Sequence, residues 1–140
     1  MPGIFGTNAP LAADLSLLLQ LIIFVILILG IRFGRKKTLD GLKTHGRIMT
    51  GTVALHTIGI LLVMVPSLVM NFPALRNEPS TIGFPVTSIH VLLGVLAEGL
   101  GIVLIFRKLG NVRMWMRIEA MLWLIATIFG ISFYLRYYVL

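Results

Sequence analysis

The sequence predicts an all-α fold, an integral-membrane four-helix bundle with both termini outside. Three observations predict it. Four long apolar runs, residues 15–31, 48–70, 86–106 and 118–135, fill most of a 140-residue chain. Each approaches or exceeds the ~20 apolar residues that a helix needs to cross ~30 Å of hydrocarbon. Hydrophobic residues make up 58% of the chain and charged residues 12%, against roughly 25% charged in a soluble domain. Finally, the basic residues are segregated. Arg32, Arg35, Lys36, Lys37, Lys43 and Arg47 occupy the first connection, and Arg107, Lys108, Arg113 and Arg117 the third, leaving Arg76 and Arg136 on the opposite side. Basic loops stay cytoplasmic, so loops 32–47 and 107–117 are expected inside, in a multi-pass protein of the cell membrane. The net charge of +7 then reflects topology rather than nucleic-acid binding, although such clusters also suit anionic lipid head groups.

One membrane domain, 1–140, is expected, with spans at 14–33, 45–70, 86–107 and 112–137. The segment before the first run has no basic residue, and the run is longer than a signal core, so a cleaved secretory signal is not expected. Asp14 stands where a negative charge favours a helix N-terminus. The first span is almost pure Leu, Ile, Val and Phe, relieved by Ser16, Gln20 and Gly30. Such a helix can face lipid on most sides and is expected to be the most peripheral.

Along the second span His45, Met49, Thr52, His56, Gly59 and Val63 recur at steps of three and four, which places them on one stripe. Pro66 removes a helical hydrogen bond and predicts a kink near the outer end. Segment 71–85, with Pro73, Pro79, Gly83 and Pro85, reads as the one long irregular connection. The third span carries His90, Gly94, Ala97, Glu98 and Gly101. Its small residues, with Gly59 in the second span and Ala126 and Gly130 in the fourth, are the expected helix-packing positions. Trp115, Tyr134, Tyr137 and Tyr138 fit interfacial belts.

Ionisable residues inside a span are costly and usually functional. Counting ~1.5 Å per residue from the basic ends puts His56 and Glu98 ~14 Å deep and Glu119 ~10 Å deep. Three groups from three helices therefore share a level. His45 lies at the inner edge, about three turns below His56. His90 lies ~25 Å from the inner side, beside Gln20 or Asp14, and so does not pair with His56 as a haem axial couple. Three readings of the level stay open. The groups pin helices together by hydrogen bonds. They hold a metal ion or haem, with His56, Glu98, Glu119, His45 and His90 as candidate ligands. Or they relay protons. No cysteine is present, which excludes disulfides and thiolate ligands. No catalytic motif of a soluble enzyme occurs, so no catalytic residue is assigned.

The residues of the last three spans also resemble a known family. Lys43-Thr-His-Gly-Arg-Ile-Met49, His56 and Val63-Met-Val-Pro-Ser67 are similar to the second helix of the domain-of-unknown-function 420 membrane proteins. His90-x-x-x-Gly94-x-x-x-Glu98-Gly with Gly101 is similar to their third helix, and Trp123, Gly130 and Tyr134 to their fourth. The resemblance covers roughly residues 14–138 and looks closest to archaeal members. It implies a four-helix protein with several membrane histidines in a respiratory or metal-handling context. Members commonly carry a further His before the last span, where this chain has Val112, Arg113 and Met114.

Little chain lies outside the four runs, which favours work in partnership with other membrane subunits. The expected function is that of a non-catalytic accessory or assembly component of a larger membrane metalloenzyme of the respiratory-oxidase type. A small haem- or metal-binding electron-transfer protein is the first alternative. An accessory subunit of an archaeal copper membrane monooxygenase is another, on general grounds.

Overall fold

The computed structural model describes residues 3–36, 38–77, 83–106 and 109–140. Within them the chain forms α1 (Leu11–Arg35), α2 (Leu39–Gly59), a π-helical turn (Ile60–Met64), α3 (Val65–Asn77), α4 (Gly83–Ile105) and α5 (Val112–Tyr138). Four stretches are long and apolar enough to cross a membrane: Leu11–Arg35, Leu39–Met70, Phe84–Ile105 and Val112–Tyr138.

Local signals set the helix ends at the basic connections. Arg32 and Arg35 occupy the last turn of α1, where cations offset the exposed carbonyls. Thr38 caps α2, accepting the Gly41 N–H at 3.1 Å, and Asn111 caps α5, accepting the Met114 N–H at 3.3 Å. Capped termini matter more here than in water, because an unpaired backbone group near hydrocarbon finds no solvent.

The C-terminal half of the second span is not a plain α-helix. Pro66 has no N–H, and its ring crowds the carbonyl four residues back. The chain answers by widening into the π turn, whose exit is marked by the Val65 N–H bonding the carbonyl of Ile60, five residues back. This is a recognised way of absorbing a mid-helix fault. Helix then resumes and continues through Pro73 to Asn77. The expectation of an irregular 71–85 connection is therefore corrected. Residues 71–77 are helical, Gly83 opens α4, and only 78–82, including Pro79, lie outside the described residues. Arg107, taken as the inner end of the third span, also lies outside them.

The bundle is built from two hairpins, α1 with α2 and α4 with α5, which make its most extensive contacts. Gly30 and Gly34 bring the first pair together. A Cβ on Gly30 would stand 2.2 Å from the Met49 side chain, and one on Gly34 would stand 3.1 Å from the His45 ring. Between the hairpins Ile23, Leu27, Ala97 and Trp123 form a small core. Helix α1 is consequently not the most peripheral element. It buries Asp14, Gln20, Ile23, Leu27 and Gly30, and a larger share of its most apolar window is covered than in the second or third span. Outward faces are apolar, with Leu62 73% and Met70 70% exposed, as lipid contact requires.

Both termini lie at one end of the bundle. The Phe5 N–H donates to Asp14 Oδ2 at 3.0 Å, and the Tyr134 hydroxyl donates to Asp14 Oδ1 at 2.5 Å. Thr7 Oγ1 lies 3.0 Å from the same Tyr134 oxygen. Tyr134 is thus buried in a polar clasp rather than placed in an interfacial belt, while Tyr137 is exposed.

Candidate functional site

The level anticipated from residue depth exists. The stripe on α2 turns Thr52, His56 and Gly59 inward, and α4 presents Ala97 and Glu98, both buried, on the facing side. His56 Nδ1 and Glu98 Oε2 are 2.6 Å apart, a polar contact between the two hairpins. The Thr57 hydroxyl bonds the other carboxyl oxygen, Glu98 Oε1, and also reaches the Val53 carbonyl at 2.9 Å. The His56 ring packs on Trp123 with centroids 4.2 Å apart and planes tilted by 53°. Glu119 is buried on α5, within Coulombic reach of Glu98. Its Oε1 lies beside Gly101, 3.6 Å from where a Cβ would stand.

The other two histidines sit elsewhere. His45 Nδ1 donates to the Gly30 carbonyl at 2.8 Å, fastening α2 to α1 near the first basic connection. His90 Nδ1 donates to the Ala126 carbonyl at 2.8 Å, fastening α4 to α5. Gln20 does approach His90, since both would touch a Cβ on Gly130 within about 3 Å. Asp14 does not, being held by Tyr134 and Phe5.

A carbonyl only accepts, so His90 carries its proton on Nδ1 and, when neutral, keeps a lone pair on Nε2. His56 Nδ1 is likewise engaged, with Glu98 Oε2, and either group of that pair can hold the proton. Both rings border one interhelical cavity of about 660 Å³, and among the described residues neither Nε2 has a hydrogen-bond partner. Gly94, Ala97, Ala126 and Gly130 also line this cavity. Gly94 has open space beside it, with nothing within 4 Å of a Cβ. Of the six packing positions, Gly59 and Gly101 are filled closely by Leu19 and Val53, whereas Gly94 borders a void.

Among the described residues, no three His, Asp or Glu side chains gather as a metal site would require. A multi-ligand ion therefore has no ready donor set, although a single Nε2, its ring oriented through Nδ1, has the chemistry of an axial ligand. Thr57 escaped the reading by ionisable residues, being uncharged, and Trp123 entered only through the family resemblance, whereas Gln20 was expected beside His90. Helical spacing from Val53 and from Ala126 was the available signal for the first two.

No protein-family model matches the chain, and no curated protein or solved structure matches it significantly either.

Proposed function

We propose that the protein is a non-catalytic accessory or assembly component of a larger membrane metalloenzyme, of the respiratory-oxidase type. The carrying observation is how little of each helix the bundle itself covers: between 17% and 28% of each span's most apolar window is buried. A protein that is nearly all surface, with that surface apolar, is suited to associate laterally within the bilayer. The likeness of the last three spans to the domain-of-unknown-function 420 proteins, with their respiratory and metal-handling context, supports the same reading. In this reading the basic loops 32–47 and 107–117 face the cytoplasm of a cell-membrane protein.

Affinity purification of the tagged chain from its native membranes in mild detergent, followed by mass spectrometry, tests the proposal. Co-purification of haem- or copper-enzyme subunits is expected, together with less assembled enzyme in a strain lacking the chain. Recovery of the chain alone, with enzyme levels unchanged, overturns it.

A second reading, a small haem-binding electron-transfer protein, is favoured by one feature: His56 and His90 each have Nδ1 tied and Nε2 unspent toward the same cavity. A haem bound there would supply electron transfer, while the chain would provide a single oriented imidazole. An absorption spectrum of the purified protein with metal analysis separates the readings, since only the second expects stoichiometric iron and a Soret band.

A further inference from the structure

We propose that the interhelical cavity is a binding site for a quinol-type lipid, a hydroxylated aromatic ring carrying an apolar tail. The argument rests on polarity, shape and access.

Polarity fixes the head. Nδ1 of His90 is committed to a backbone carbonyl and Nδ1 of His56 to Glu98. The nitrogen left over on neutral His90 is an acceptor, so the guest group that complements it is a donor. A hydroxyl-bearing ring meets that condition, whereas the corresponding quinone, which only accepts, does not.

Shape fits a ring above the middle of the bundle. At the level between the two histidines the walls are Gly94, Ala97, Ala126 and Gly130, with Trp123 as an aromatic floor. Ala97 and Ala126 add little bulk and Gly94 faces open space, which leaves width for a flat group. The space at Gly130 is taken by Gln20 and the His90 ring, each 2.9 Å from where a Cβ would stand. From Trp123 to Tyr137 the cavity follows fourteen residues of α5, or ~21 Å. A volume of about 660 Å³ over that length gives a section wide enough for one extended hydrocarbon chain.

Access is from the bilayer. A second hollow of about 360 Å³ lies between α3 and α4 and shares Leu68, Thr87, Val91 and Val95 with the first. These two helices touch only sparsely, and Val95 is 63% exposed. The Thr87 hydroxyl at this junction is buried without a partner among the described residues. An unpaired hydroxyl in an apolar passage is costly, and a polar group on the passing guest would satisfy it. The combined hollow is a side entrance for a molecule dissolved in lipid. Binding of this kind belongs to the isolated chain and needs no partner complex.

The test is equilibrium binding to the full chain in zwitterionic-lipid nanodiscs, with empty nanodiscs as background. The probes are a decyl-tailed benzoquinol, its quinone, and decylbenzene. Saturable binding of one quinol per chain is expected, at least tenfold tighter than the quinone, with no saturable binding of decylbenzene. Gly94→Leu, which fills open space, should abolish binding. Val91→Phe on the same wall serves as a second blocking variant should the first fail to fold. His90→Phe should weaken quinol binding at least tenfold while leaving the quinone unaffected. The proposal is overturned if decylbenzene or the quinone binds as tightly as the quinol, or if a folded blocking variant binds normally.

Discussion

Glu98 is the residue on which most of the buried polarity converges. It is hydrogen-bonded to His56 through one oxygen and to Thr57 through the other. Glu98→Gln keeps an acceptor and should cost under ~1 kcal/mol, in the range of interhelical hydrogen bonds in membranes. Glu98→Leu removes both acceptors and orphans the imidazole, a loss of about 1–3 kcal/mol. Thermal unfolding in detergent should rank the two in that order, and equal midpoints would contradict the pairing. Thr127 makes the reverse case. Thr52 returns its hydroxyl to the carbonyl of Ile48, whereas the buried Thr127 Oγ1 has no partner among the described residues. Thr127→Val keeps the shape and discards an unsatisfied group, so stability should rise by roughly 1 kcal/mol in the same assay. The His56–Glu98 meeting was legible in the sequence because both groups are ionisable and depth can be counted. The cavity was not, because Gly94 spells close packing and open space with the same letter.

At the level of elements, the informative departure is the C-terminal half of the second span. Pro66 announced a fault, but not its form. A kinked α-helix and a π turn satisfy the same missing N–H, and the choice depends on how Ile60–Met64 pack, which no local pattern encodes. Pro73 misled the boundary more seriously. A proline in a polar-flanked stretch reads as the end of a helix, yet helix persists around it to Asn77, because a membrane helix keeps its backbone bonds wherever water cannot replace them. Pro66→Ala restores the lost donor, so the amides of residues 60–66 should exchange hydrogen more slowly than in the parent. Unchanged exchange there would show that the π turn is held by packing alone. At the entry to α1, Tyr134→Phe cuts the hydroxyl that ties Asp14 and Thr7 together. Residues 3–9 should become sensitive to added protease while the helices stay intact. Persistent protection would mean that packing of Ala9, not the clasp, fixes the segment.

For the molecule as a whole, four apolar runs made the helical membrane architecture plain from composition alone. The partition of basic residues adds an orientation. Reporter fusions at Leu140 and within residues 40–43 should therefore report opposite sides of the membrane, with the C-terminal fusion outside. What composition could not give is the pairing of spans. The first run looks fit to stand alone in lipid, but Gly30 and Gly34 turn it into a close partner of α2, and its few polar residues face inward because lipid offers them nothing. The division into two hairpins has a consequence for biogenesis. Translation delivers α1 and α2 before α4 exists, so His56 and Thr57 enter the bilayer ahead of the carboxylate that will receive them. Until the second hairpin arrives, the nascent protein carries an unmatched imidazole among acyl chains. Meeting Glu98 is then the event that distinguishes a finished protein from half of one, and a chain truncated before residue 98 should carry a standing mark for membrane quality control.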